Sequence, residues 1–136
     1  MNNTLIRICR EGRGMEPAAV QALLAQTSWA ADRSQAVIEV SLRNSLCCGA
    51  FLPDSGRQIG FARVITDYAT SYYLCDVVVD RAFRRRGIGS AMIVALTAEP
   101  ALAELQGLLI TADAQRLYLP YGFRPADICF MVKGKF

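Results

Sequence analysis

A chain of 136 residues and 14.9 kDa suits one domain around one core, and 53% hydrophobic residues exclude a disordered chain. Fifteen Lys and Arg against 12 Asp and Glu leave a formal charge of +3, too small an excess for a surface devoted to nucleic acid. No histidine is present, which removes every Cys-His or Ser-His-Asp centre and the usual catalytic zinc site, so acid–base chemistry falls to Asp, Glu, Tyr, Cys, Lys or the backbone.

In chain order, the apolar run Leu5 to Cys9 predicts a first strand, and Gly12 and Gly14 loosen the chain after it. Pro17 fits the first turn of a helix, where its missing N–H costs nothing, and Val20, Leu23 and Leu24 form its apolar stripe through Gln26. A second helix is expected from Asp32, with Gln35 completing a capping box and Val37, Ile38 and Leu42 buried, fading at Asn44 and Ser45. Cys47 to Leu52, Gln58 to Ile65 and Tyr72 to Val79 read as three strands joined by short turns, an antiparallel meander. Ser90 to Ala98 has helical composition, Ala101 to Gln106 could restart it, and Gly107 stops it before a strand at Leu108 to Thr111. Asp113 is expected to cap a short helix through Leu119, and Ile128 to Lys133 reads as a closing strand. The order β-α-α-β-β-β-α-β-α-β implies a single domain over residues 1–136, without repeats or linkers.

The five cysteines, Cys9, Cys47, Cys48, Cys75 and Cys129, are odd in number and not spaced as metal ligands. They read as free thiols, with Cys9, Cys75 and Cys129 as small core residues. The first residues lack the apolar core of a signal peptide, and no stretch approaches the ~20 apolar residues that span a bilayer. A cytoplasmic, reducing setting is the default expectation.

The sharpest feature runs from Val77-Val78-Val79-Asp80 through Arg81-Ala82-Phe83 to Arg84-Arg85-Arg86-Gly87-Ile88-Gly89-Ser90. A strand enters a basic loop, and the loop opens a helix whose first N–H groups lack internal partners. Gly87 and Gly89 permit close backbone approach, and the helix dipole adds positive potential, so the segment suits a diphosphate. A Walker loop is absent, and only GxG remains of a dinucleotide fingerprint. A solvated charged face and an RNA patch stay open on residue types alone.

Arg84-Arg85-Arg86-Gly87-Ile88-Gly89 resembles the Arg/Gln-x-x-Gly-x-Gly/Ala motif of the GCN5-related N-acetyltransferase (GNAT) superfamily. Leu117-Tyr118-Leu119-Pro120-Tyr121-Gly122-Phe123 is similar to that family's C-terminal Tyr and Gly-Phe segment, and Gly60-Phe61-Ala62-Arg63, Thr66-Asp67 and Asp76-Val77 resemble a branch of small bacterial members. The resemblance implies an α/β acyl-CoA N-acyltransferase fold of the α+β type. Its mixed central sheet would combine the meander with a splayed parallel strand pair, flanked by helices. It implies an acetyl-CoA-dependent N-acetyltransferase without a metal. Val77 and Val79 would meet the pantetheine arm, and the N–H groups from Arg85 through Ser90, including Arg86, Gly87, Ile88 and Gly89, would hold the pyrophosphate. Arg84 would shape the loop, Arg81 or Arg86 could approach outer phosphates, and Asp113 and Arg116 would border the pantetheine or adenosine. Arg81 and Arg85 stand where Pro and Gly are common in the family, and Pro120 is uncommon at its position.

A protonated amine cannot attack a thioester, and a lysine-like amine has a pKa of about 10.4. Transfer therefore needs a route for one proton off the amine and one onto the departing sulfur. Tyr118 is the expected acid at sulfur, and a backbone N–H from Asp76 to Val79 the expected partner of the thioester oxygen. Asp76 interrupts an apolar strand. Three roles stay open for it: base or water-orienting group, anchor for a substrate ammonium, or structural ion pair with Arg63. Period two puts it on the face of Leu74 and Val78, unless a bulge re-aims it. Trp29, Tyr72 and Tyr73 are candidates for an acceptor pocket, and Tyr121 and Phe123 for support. Asp67, Asp76 and Asp80 would favour a cationic acceptor if they face the cleft.

The leading function is acetyl transfer to a primary amine of a small molecule or protein, by direct attack in a ternary complex. A non-catalytic acyl-CoA-binding regulator and an RNA-binding module are the alternatives. No membrane partner is expected, and a homodimer remains open.

Overall fold

The computed structural model describes residues 3–135. Five strands form one sheet in sequence order: β1 (Leu5–Arg10), β2 (Leu46–Phe51), β3 (Gln58–Thr66), β4 (Ser71–Val79) and β5 (Gln106–Leu109). The first four pair antiparallel, β2, β3 and β4 through short turns and β1 with β2 across the segment that holds two helices. β5 pairs parallel with β4, because α3 (Ile88–Thr97) carries the chain back across the sheet. Helices α1 (Pro17–Leu24) and α2 (Gln35–Arg43) cover one face and α3 the other.

Alternation along β2 shows why both faces need cover. All six of its residues are buried. Leu46, Cys48 and Ala50 pack with Ile88, Met92, Ile93 and Leu96 of α3, while Cys47 and Phe51 pack with Val20, Leu23 and Leu24 of α1 and Ile38 and Leu42 of α2. A strand buried on both faces reads as a continuous apolar run.

Several boundaries differ from the sequence-based expectation for local reasons. Ser34, not Asp32, caps α2: its hydroxyl accepts from the Val37 amide at 3.2 Å, while the Arg33 amide is turned back onto the Ala30 carbonyl at 3.2 Å. Helix α3 starts at Ile88 rather than Ser90, since Gly87 caps it in the left-handed region at φ 78°. In place of the expected helical restart over Ala101 to Gln106, residues 101–105 make hydrogen-bonded turns and Gln106 already opens β5. Gly107 lies inside β5, where Tyr72 crosses so closely that a Cβ would meet its hydroxyl and Cζ at 2.6 Å. The short α4 (Gln115–Tyr118) is capped by Ala114 without a side-chain bond, so Asp113 does not cap it. The expected closing strand over 128–133 does not form; Ile128, Phe130, Met131 and Val132 are exposed, and Cys129 lies on the surface rather than in the core. A short apolar run alone makes no strand, because strand backbone groups need a neighbouring strand to bond to.

Candidate functional site

The site forms where β4 loses its partner. Pairing with β5 covers Ser71 to Leu74 only, opposite Gln106 to Leu109. Beyond Leu74, β4 continues for five residues with no β5 alongside, and the parallel pair opens.

At this point β4 also carries a bulge. Phe61 of β3 opposes Val78 and Arg63 opposes Cys75, so two β4 residues, Asp76 and Val77, face one on β3. Asp76 takes φ 54°, a left-handed conformation that non-glycine residues adopt rarely. The bulge exchanges the faces. Tyr72 and Leu74 lie toward α3 before it, and Val77 and Val79 pack on that side after it. Val78 joins the α1–α2 core. The period-two expectation is therefore corrected: Asp76 no longer shares a face with Leu74.

Asp76 is buried at 6% exposure, and its carboxylate is fully engaged. One oxygen accepts from Trp29 Nε1 at 3.1 Å. The other accepts from Arg33 Nη1 at 2.6 Å and Arg63 Nε at 2.9 Å. Burial pushes this acid up, but the Arg63 charge and the hydrogen bonds from both arginines outweigh that and hold it below the usual carboxylate range. The geometry matches the ion pair with Arg63 among the three open roles, with Arg33 as a second partner. Arg33 was not legible as a site residue, because nothing in a chain with thirteen arginines singles it out. Arg63 rises from β3 between Cys47 and Cys75, its cross-strand neighbours, and its Nη1 also bonds Ser45 Oγ at 3.2 Å. Burial lifts the thiols of Cys47 to about 12 and Cys75 to about 11, which keeps both protonated and poor nucleophiles.

The loop after β4 is shaped by its acid and its first arginine. Asp80 Oδ1 accepts from the Ala82 amide at 2.9 Å and Oδ2 from Arg57 Nη2 at 2.8 Å. Arg84 Nε donates to the Val79 carbonyl at 2.9 Å, tying the loop back to the strand end. The Arg81 amide is held by Gln26 Oε1 at 2.9 Å, which fixes α1 to the same turn. Arg85 and Gly87 both have positive φ, 65° and 78°. Among the described residues, no backbone carbonyl lies in good hydrogen-bond geometry to the N–H groups of residues 85–90, and Gly87 supplies no side-chain cap. Arg86 turns over the Phe83 ring, 5.3 Å from its centroid. Both line a cleft of about 740 Å³ with Ile88 and the β2–β3 turn.

Tyr118 lies on α4, in the core on the α3 side of the sheet. It is 8% exposed and packs edge-on against Phe123, ring centroids 6.0 Å apart. Phe123 also meets Tyr72 edge-on at 6.5 Å, so it links Tyr118 and Tyr72 in one aromatic cluster, the support expected of it. Burial raises the Tyr118 phenol above its ordinary value. Asp113 precedes this helix and Arg116 lies within it.

A meander that opens into a splayed parallel pair, followed by free amides at a helix start, defines an acyl-coenzyme A N-acyltransferase scaffold. Residues 44–125, more than half of the chain, match the acetyltransferase (GNAT) domain, and the chain belongs to the GNAT acetyltransferase family. It is an acetyl-CoA-dependent acetyltransferase. A structure described as an acetyltransferase of the GNAT family from Xanthomonas campestris pv. campestris is 38% identical, with a TM-score of 0.81 over 90% of this chain and 87% of that one. A GNAT-family acetyltransferase from Streptococcus pneumoniae TIGR4 shares the fold at 21% identity and a TM-score of 0.78, over 97% and 98% of the two chains. A structure described as an acetyltransferase from Deinococcus radiodurans R1 shares the fold at 20% identity and a TM-score of 0.75, over 94% and 88%. No curated protein matches the chain in sequence.

The unpartnered amides at 85–90 are the observation that fits this chain to acetyl-CoA, since a diphosphate needs convergent donors. Among the described residues, no group of three or more His, Cys, Asp or Glu could hold a metal ion, and no helix is long and apolar enough to cross a membrane.

Proposed function

We propose that this acetyltransferase passes the acetyl group to a primary amine of a small molecule or protein by direct attack in a ternary complex, with Tyr118 donating a proton to the departing sulfur. The free amides at 85–90, one strand end away from the open β4 edge, carry this reading. They would hold the pyrophosphate, with Gly87 and Gly89 allowing close approach and Arg84 keeping the loop on Val79. The coenzyme supplies a thioester-activated acetyl group. Val77 and Val79 offer backbone groups along the pantetheine path, because β5 no longer pairs with them. A backbone N–H of the 76–79 segment would stabilise charge on the thioester oxygen.

The raised Tyr118 pKa suits an acid. The phenol stays protonated through neutral pH and beyond the usual tyrosine range, so a proton is at hand when thiolate forms. The lowered pKa of Asp76 suits a permanent anion better than a base. We read Asp76 as a positioning residue that fixes Trp29, Arg33 and Arg63, and the amine proton leaves to water.

Thiol release from acetyl-CoA over a panel of amines tests the reading. Intersecting initial-velocity patterns are expected for a ternary complex, and parallel ones would exclude it. Tyr118→Phe should lower kcat by about 100-fold, the lower range for a positioned general acid, with coenzyme A affinity unchanged. An unchanged kcat removes Tyr118 from the chemistry.

A further inference from the structure

The acids expected to attract a cationic acceptor are all engaged. Asp67 is folded into its own turn, accepting from the Ala69 and Thr70 amides at 2.9 and 2.8 Å. Asp80 holds Arg57, and Asp76 is shared by two guanidinia. The α1–α2 side of β4 therefore carries a surplus of positive charge, Arg33 and Arg63 against one carboxylate. Arg33 is the more accessible of the two, its side chain 23% exposed against 13%. Only its Nη1 is bonded, so Nε and Nη2 keep donors without a partner among the described residues. These donors sit over Asp76, two residues past the last β4–β5 pair, where the sheet opens. Trp29 stands beside them, 58% exposed and fixed by its indole N–H to the same carboxylate.

A half-buried guanidinium already held in place by Asp76, with two donors that have no partner among the described residues, is preorganised for a carboxylate. We propose that the acceptor is a small amine carrying a carboxylate close to the reacting nitrogen, of the α-amino acid type. The carboxylate binds the free edge of Arg33, and Trp29 covers the apolar part of the molecule. This substrate class rests on the reading of the opened β4 edge as the reaction centre.

Trp29 is the only tryptophan, so its fluorescence reports on the site without any acetyl transfer. The protein is titrated with the common α-amino acids and with their α-amides, which keep the amine and lose the carboxylate. A saturable change is expected with one or more of the acids, and about tenfold weaker binding or none with the matching amides. Thiol release should show the same order in kcat/KM, and Arg33→Gln should abolish the difference between acid and amide. The proposal is overturned if no acid perturbs Trp29, if acid and amide bind alike, or if a folded Arg33→Gln keeps the preference. Should that variant fail to fold, the acid–amide comparison in the native protein decides alone. Absence of acetyl-CoA turnover with every amine would defeat the reaction-centre reading instead, while the fluorescence titration still judges the carboxylate site.

Discussion

The two ends of the opened β4 edge are built from different materials. After the strand, residues 85–90 offer main-chain amides, set by two positive φ angles and a helix start. Across the strand, Trp29, Arg33, Arg63 and Asp76 offer only side chains, brought from an interhelical loop and two strands. A main-chain site survives exchange of most side chains and fails when a dihedral is lost. A side-chain site fails when one member is removed, because the remaining charges stay buried without compensation.

That difference predicts the largest effect at Asp76. Asp76→Asn strands Arg33 and Arg63, which share its carboxylate, and should cost about 3 kcal/mol of stability by denaturant melting, the lower range for breaking a buried pair. The cost should depend on pH in a stated direction. The folded pKa lies below the ordinary value of 3.8, so the stabilisation is full above that value and is lost as pH falls through the depressed one. Native and variant curves should therefore begin to converge below about pH 4 and draw closer as pH falls further. A gap that stays constant down to pH 2 would break the assignment of an ionised Asp76.

Gly87→Val tests the main-chain half. No atom lies within 4 Å of the Cβ it would gain, so the cost comes from φ 78° and not from crowding. A left-handed residue with a Cβ costs about 1–2 kcal/mol, and relaxation of the angle would swing the neighbouring amides. Coenzyme A affinity should fall about tenfold by calorimetry, with Asp76 and its partners unaffected. Native-like affinity would show that the amides at 85–90 do not hold the diphosphate.

The same division explains what could be read from the sequence. A main-chain loop leaves its mark locally: Gly87 stands where the backbone turns left-handed, in the basic loop that follows a β-branched run, and the loop could be found. The ends of β2, β3 and β4 were legible for the same reason, since alternation and turns act over a few residues. The cluster was only half legible. Asp76 stood out as a charge in an apolar strand, but its partners lie 13, 43 and 47 residues away in Arg63, Arg33 and Trp29. No local pattern encodes which of thirteen arginines a loop will deliver. The unformed strand at 128–133 fails in the same way. Its run of apolar residues is real, but strand formation needs an edge, and edges belong to tertiary structure.

The smallest predicted effect is the most selective between side chain and main chain. Arg85 adopts φ 65° while carrying a Cβ and a charge, beside Gly87. Arg85→Gly relieves ~1 kcal/mol of left-handed strain and loses a similar amount to the entropy of the unfolded chain, so Tm should hardly move. The side chain is solvent-exposed, and exposed charge pairs contribute about 0–1 kcal/mol, so coenzyme A affinity should change by less than about fivefold. Raising salt should weaken binding to Arg85→Gly and to the native protein nearly in parallel. A tenfold loss on this substitution, removed at high salt, would mean that the guanidinium and not the amide row provides the anion site. The loop would then belong with the cluster across β4, as a site made of side chains.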